Sequence, residues 1–139
     1  MRVMLDTNVL ISLLLFPSRQ MDRMMEYIFR EHQLVLSSFV VEELNFVVSK
    51  KFPTKTGVID QLLAQMGYEL VYTPKEMDKS LFRIRDEMDY PVLYTAVMEN
   101  IDLLITGDKD FADVDIDRPA ILTPKAFIEK YVDTGKERG

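Results

Sequence analysis

The sequence has no cysteine and a single histidine, His32, in 139 residues. The lack of cysteine excludes disulfide bonds and thiolate zinc sites, and one histidine excludes any site that needs two imidazole ligands. No apolar run reaches the roughly 18 residues that a membrane-spanning helix requires. The apolar start of the chain lacks the cleavage site of a signal peptide and is interrupted by Asp6, so we expect a cytoplasmic protein with no membrane association.

Positive charge is also scarce. The chain carries 17 Lys and Arg against 23 Asp and Glu, a formal net charge of -6. Taken alone, this balance argues against a nucleic-acid-binding protein, because phosphate contacts need Lys and Arg. Two interpretations remain: the partner is not an anion, or the acids cluster at a bound cation that reverses the local charge.

What the sequence does contain is an alternation of short apolar strands with helices. Strands are predicted at 2–5, 34–36, 69–72, 102–106 and 120–122. Helices are predicted at 8–16, around 21–29, at 38–51, 54–66, 75–84, 90–99 and 124–131. This alternation predicts a parallel sheet covered on both faces, in one α/β/α domain over 1–132 with a polar tail at 133–139.

The second helix has an apolar face at helical spacing. Its members are Met21, Met24, Met25, Ile28 and Phe29. Spacing of i, i+3, i+4, i+7 and i+8 places them on one side of a helix. We expect these side chains to fill the core.

Four acidic side chains have comparable positions in the alternation: Asp6, Glu43, Asp89 and Asp108. Asp6 follows the first strand, and Asp108 follows the fourth. Glu43 lies on the helix after the second strand, and Asp89 begins the helix before the fourth. If the first and fourth strands are neighbours, as at a topological switch point, all four acids converge on one crevice outside the carboxyl ends of the strands.

The expected chemistry of such a cluster is that of a hard cation. Unpaired carboxylates packed together repel one another and raise their pKa values, so the cluster must bind cations or hold protons. Oxygen ligands select Mg²⁺ or Mn²⁺, which suit phosphodiester hydrolysis. Asp86 and Asp110 lie close to the cluster in the sequence. Each acid alone could be an N-cap, a turn residue or a solvated charge, so the convergence of all four carries the prediction.

At this point the residues resemble the PIN domain. LDTNVLIS at the start, an Asp before an apolar helix and the stretch LLITGDKDF are most similar to VapC-like PIN toxin subunits of toxin–antitoxin pairs. The resemblance extends through the ending AILTPKAFIEKY. It implies a three-layer α/β/α sandwich with a parallel sheet in the order 3-2-1-4-5. It also implies an endoribonuclease that uses Mg²⁺ or Mn²⁺, with RNA as substrate, an antitoxin protein as partner and, in many members, a homodimer.

Carried over residue by residue, the resemblance assigns the catalytic and metal-binding role to the same acids: Asp6, Glu43, Asp89 and Asp108. Asn8 and Thr106 match its supporting Asn and Thr. Asp86 matches the first acid of an RDPxD-like loop, and Asp110 a second acid of the TGDxD turn. Candidate phosphate contacts are Arg2, Arg19, Arg85 and Lys109.

This sequence departs from the family pattern at two positions near Asp89. Glu87 replaces the usual Pro of the RDPxD-like loop, and Pro91 stands where a Lys is common. The match is therefore least close around Asp89.

Two alternatives remain beside the nuclease. A phosphatase with an aspartyl nucleophile usually needs a second Asp two residues after the first, where this chain has Asn8. A catalytically silent PIN-fold binding module that acts through protein partners is the other alternative. The presence of all four acids weighs against a silent module.

Overall fold

The computed structural model describes residues 1–134. They form a five-stranded sheet in the order β3-β2-β1-β4-β5, in which every pair is parallel. The strands are β1 (Arg2–Leu5), β2 (Gln33–Ser37), β3 (Glu69–Val71), β4 (Leu103–Ile105) and β5 (Ala120–Leu122). Helices lie on both sides, so the predicted fold class and sheet order are confirmed.

Six α-helices are present in the described residues: α1 (Thr7–Leu15), α2 (Arg19–Glu31), α3 (Ser38–Lys51), α4 (Thr56–Gln65), α5 (Tyr90–Met98) and α6 (Pro124–Phe127). Short 3-10 turns at Pro53–Lys55, Glu87–Asp89 and Lys109–Phe111 connect them, and a π-helical turn at Ile128–Val132 continues α6. No helix among these residues is long and apolar enough to cross a membrane.

The core is built on the central strands. Val3, Met4 and Leu5 of β1 are each 0% exposed, and Leu34 to Leu36 of β2 are equally enclosed. A strand covered by helices on both faces is expected to be apolar at every position, as these runs are. Each buried side chain of this size stabilises the fold by about 1.5–3 kcal/mol.

The register of β1 and β4 positions the site. Leu5 pairs with Ile105, and the N–H of Asp6 donates to the Ile105 carbonyl at 3.0 Å. Asp6 and Thr106 are therefore the first residues beyond two neighbouring strands. Because β2 lies on one side of β1 and β4 on the other, this edge is a topological switch point.

Residues 75–84, which the structure describes throughout, form no helix, so that prediction is wrong. Asp78 Oδ1 accepts hydrogen bonds from the Ser80 N–H at 2.9 Å and the Ser80 hydroxyl at 2.6 Å. The Tyr90 hydroxyl donates to the Asp78 carbonyl. Such local bonds compete with helix formation. Phe82 stacks on Tyr90 with ring centroids 4.3 Å apart, which packs this loop against α5.

The apolar face of α2 is also narrower than predicted. Met24 and Ile28 are 0% exposed, whereas Phe29 is 45% exposed, so its assignment to the core is wrong. Phe29 follows Ile28 directly, and one residue turns a helix by about 100°. That turn carries its ring out of the buried face.

The polar tail predicted at 133–139 lies largely outside the described residues. Asp133 and Thr134 are described and are helical. Asp133 Oδ1 accepts a hydrogen bond from Arg23 Nη2 at 3.1 Å. The division into a domain and a tail stays a prediction.

Candidate metal centre

Asp6 is a buried carboxylate at the end of β1, with a side chain only 4% exposed. Its Oδ1 accepts the Thr7 N–H at 2.8 Å, which caps α1, and its Oδ2 accepts the Thr106 hydroxyl at 2.8 Å. Burial raises the pKa of Asp6, the two hydrogen bonds lower it, and the charges of Glu43 and Asp108 raise it again. Asp6 is thus a fixed, poorly hydrated acid for which a nearby cation would stabilise the charged form.

Thr106 connects Asp6 to the turn after β4. The Thr106 side chain is 2% exposed, and its Oγ1 accepts the Asp108 N–H at 3.0 Å. A hydroxyl has one proton to donate, and here it points to Asp6 Oδ2. One buried hydroxyl therefore sets the relative position of two of the predicted acids.

Asp108 begins the 3-10 turn Lys109–Phe111. Its Oδ1 accepts the Asp110 N–H at 2.9 Å, and Phe111 is buried, which anchors the turn in the core. The carboxyl of Asp108 is partly buried. Capping thus holds the side chain in one orientation beside Asp6.

Asp89 precedes α5 but does not cap it, because its side chain makes no capping hydrogen bond. Within the described residues its Oδ2 is buried without a hydrogen-bond partner. Burial and then the hydrogen bond and charge of Asp108 raise the pKa of Asp89 from 3.8 to about 8, with further contributions from Asp6 and Asp86.

A tighter group of acids includes Asp89 and two residues given only a supporting role from the sequence. One carboxylate oxygen from each of Asp86, Asp89 and Asp110 lies within 4.8 Å of the others. We call these three the acid triad. Over residues 1–134 no other set of three histidine or acidic side chains comes this close. Asp89 therefore belongs both to the acid triad and to the group formed with Asp6 and Asp108.

Glu43 lies on α3 and is partly buried, whereas its neighbour Glu42 is exposed. The charge of Glu43 contributes to the raised pKa of Asp6, so the two carboxylates are near enough to interact. The structure thus separates the two glutamates as the helical periodicity predicts.

Of the two residues after Asp6, Thr7 is the buried one, although the motif gives the supporting role to Asn8. The Asn8 side chain is exposed and makes no hydrogen bond to an acid of the described chain, so its supporting role stays a prediction. Thr7 was not predicted as a site residue. Its hydroxyl is buried beside Asp6, and no partner for it is present among residues 1–134. The only sequence signal for Thr7 is its place directly after Asp6.

One candidate phosphate contact lies at the wrong edge of the sheet. Arg2 begins β1, about 13 Å from Asp6 at a rise of about 3.3 Å per residue. Its guanidinium bonds both oxygens of Glu69 at 2.7 and 3.0 Å, so a role at the site is wrong. Arg85 keeps a position beside the acids, where it pairs with Asp113.

The donor set fits a hard divalent cation. The described side chains at the site offer carboxylate and hydroxyl oxygens, which are the ligands of Mg²⁺ and Mn²⁺. The buried Oδ2 of Asp89 has no hydrogen-bond partner within the described residues and is free to serve as a ligand atom. A cation there would also remove the repulsion that raises the pKa of Asp89.

Comparisons with known proteins agree with this architecture. The sequence matches the family described as PIN domain over residues 2–110. The fold is similar to the crystal structure of VapBC2 from Rickettsia felis bound to a DNA fragment from their promoter. That likeness has a TM-score of 0.68 and 22% identity, and covers 88% of this chain and 97% of the other. At the level of sequence, no curated protein matches significantly.

Proposed function

Because the chain belongs to the PIN domain family, we propose that it is a metal-dependent endoribonuclease and the toxin component of a toxin–antitoxin pair. One observation carries the proposal. Asp6 and Asp108 share the Thr106 hydroxyl at the carboxyl ends of β1 and β4, and their charges add to burial in raising the pKa of Asp89.

The cation would be held by Asp6, Glu43, Asp89 and Asp108, with the other two members of the acid triad beside Asp89. Mg²⁺ or Mn²⁺ bound there supplies a Lewis acid for the phosphodiester and lowers the pKa of a water molecule. Without a cation these carboxylates would repel the substrate phosphate. A bound cation would reverse the local charge and so make an anionic substrate compatible with the acidic net charge.

Other residues of the chain would orient the carboxylates that hold the cation. Thr106 holds the carboxylate of Asp6 by its hydroxyl and the backbone of Asp108 by accepting its N–H. Asp89 has a free buried oxygen within the described structure, so it can turn to a ligand without losing a capping bond. Asp6 and Asp108, by contrast, are held by hydrogen bonds before any ligand arrives.

We also propose a small antitoxin protein as the partner, with both acting in the cytoplasm. The VapBC2 crystal structure, which contains a chain of similar fold, is described as VapBC2 bound to a DNA fragment from its promoter. The partner of this chain would block the acidic crevice until it is removed.

Cleavage of a structured and an unstructured RNA tests the function. Wild-type protein and the Asp6→Asn variant are compared in Mn²⁺, in Mg²⁺ and in EDTA. We expect cleavage that needs both the metal and Asp6. If Asp6→Asn retains the wild-type rate after repurification, the nuclease site is wrongly assigned. Metal binding without cleavage of any cellular RNA would favour the binding module instead.

A further inference from the structure

A small cavity adjoins the acid triad. Its volume is about 300 Å³, and its walls are Arg83, Ile84, Arg85, Asp110, Asp113 and Val114. We call it the arginine cavity. Asp110 belongs both to the arginine cavity and to the acid triad. A ligand bound in the cavity would therefore lie beside the acid triad.

The cations of this cavity are available to a ligand. Arg85 Nη2 pairs with Asp113 Oδ2, and the two side chains are 55% and 64% exposed. An ion pair this exposed contributes only about 0–1 kcal/mol, so Arg85 can exchange its partner at small cost. Arg83 is exposed and makes no ion pair with another described residue.

We propose that the arginine cavity binds an RNA phosphate next to the one that is cleaved, with Arg85 and Arg83 as its cationic contacts. This inference rests on the proposed function. The planar guanidinium group matches two phosphate oxygens, unlike the point charge of lysine. Ile84 and Val114 offer an apolar wall for a ribose or a base. A chain of net charge -6 needs a local cationic contact to hold RNA.

The ion pair also has a purely structural interpretation. Arg85 directly precedes Asp86, and Asp113 lies three residues after Asp110, so the pair connects the two loops that carry the acid triad. As a clamp, it would keep the triad assembled. The two interpretations predict changes in different quantities for Asp113→Asn. A clamp would be broken and metal binding weakened, whereas a phosphate-binding Arg85 would be released and RNA binding strengthened.

Single-turnover cleavage of a short fluorophore-labelled single-stranded RNA in saturating Mn²⁺ separates these outcomes. We expect Arg85→Ala to raise the half-saturating concentration about tenfold without changing the maximal rate constant. The slope of log affinity against log salt should fall in magnitude by about 0.7, as for one lost phosphate contact. Asp113→Asn should lower the half-saturating concentration about threefold. That gain should vanish in the double variant with Arg85→Ala.

Two matched controls remove a charge elsewhere. Arg30→Ala removes an exposed arginine beside the amino ends of the strands, and Asp115→Asn removes an exposed acid outside the arginine cavity. Neither should change RNA affinity appreciably. If Asp113→Asn strengthens binding equally with and without Arg85, the gain is general electrostatics and the inference fails.

Other outcomes would overturn the inference in a different way. Equal loss of Mn²⁺ affinity in Arg85→Ala and Asp113→Asn would establish the clamp. Arg85→Ala could instead leave RNA affinity unchanged and abolish binding of an acidic peptide. The cavity would then be a protein-binding site and not an RNA-binding site. Absence of metal-dependent cleavage by wild-type protein would contradict the proposed function itself. In that case fluorescence anisotropy with the same RNA and variants still decides whether Arg85 binds phosphate.

Discussion

The Thr106 hydroxyl donates a hydrogen bond to Asp6 Oδ2 at 2.8 Å, across the junction where β1 and β4 end side by side. The Thr106 hydroxyl oxygen in turn accepts the Asp108 N–H at 3.0 Å. Asp6 and Asp108 are far apart in the sequence, and the two hydrogen bonds of the Thr106 side chain connect them in the fold. The candidate site therefore depends on a buried hydroxyl as well as on its acids.

Replacing Thr106 by Val tests that dependence. The side chain keeps its shape, but a buried carboxylate oxygen and a backbone N–H lose their partner, so we expect a loss of about 1–3 kcal/mol in the free energy of unfolding. Mn²⁺ affinity should fall about 10–100-fold, as for other groups that orient ligands. Urea unfolding and calorimetric titration measure the two effects. Thr106→Ser keeps the hydroxyl and should resemble wild type; equal damage in both variants would contradict the role.

The two glutamates of α3 form a matched pair. Glu43 is partly buried and its charge helps to raise the pKa of Asp6, whereas Glu42 is exposed. We expect Glu43→Gln to raise the Mn²⁺ concentration needed for half-maximal RNA cleavage by about tenfold or more. Glu42→Gln should leave it unchanged. Identical Mn²⁺ curves for the two variants would remove Glu43 from the site.

The raised pKa of Asp89 predicts how stability depends on pH. In the metal-free protein its pKa is about 8 against an ordinary 3.8, so between these values the folded chain holds a proton that the unfolded chain releases. Stability from this group is fully present below the lower pKa and is lost as pH rises through the higher one. Urea midpoints in EDTA should therefore fall more between about pH 5 and about pH 9 for wild type than for Asp89→Asn.

A comparison in Mn²⁺ provides the control for this pH dependence. The ion binds deprotonated carboxylates, so its stabilising effect should grow as pH rises. Subtracting the variant removes the contributions of groups that both proteins share, such as His32. Parallel pH profiles for wild type and Asp89→Asn in EDTA would show that Asp89 has an ordinary pKa.

The loop that carries two acids of the triad is anchored by an aromatic stack. Phe82 is 6% exposed and lies on Tyr90 with centroids 4.3 Å apart. We expect Phe82→Ala to cost about 3–5 kcal/mol of stability and to weaken Mn²⁺ binding, because Asp86 and Asp89 lose their support. Leu81→Ala is the control, since Leu81 is 46% exposed. If a folded Phe82→Ala protein kept its Mn²⁺ affinity, the anchoring of this loop would not contribute to metal binding.

Much of the fold could be predicted because its signals are local and strong. Apolar runs such as Leu103–Ile105 predict strands buried on both faces, and the alternation with helices predicts a parallel sheet. The edge at which Asp6 and Asp108 meet follows from the same alternation. The sheet order itself came from the resemblance to the PIN domain and agrees with the structure.

The remaining features depend on contacts that no periodicity records. The pattern of residues 75–84 predicts a helix, but there the Asp78 carboxylate accepts hydrogen bonds from Ser80 and the segment is a loop. The acid triad depends on two 3-10 turns, Glu87–Asp89 and Lys109–Phe111, whose conformation brings Asp86 and Asp110 to Asp89. A one-dimensional pattern places these acids near one another without indicating which oxygens meet.

Anomalous diffraction from a crystal grown with Mn²⁺ tests most directly whether the acids at the ends of β1 and β4 hold a cation. We predict a peak bonded to carboxylate oxygens of Asp6, Asp89 or Asp108, at a ligand distance of about 2.0–2.2 Å that the small, hard cations favour. The peak should be lost in Asp6→Asn. A fully occupied Mn²⁺ elsewhere, or none at a concentration that supports RNA cleavage, would contradict the assignment of this edge as the metal centre.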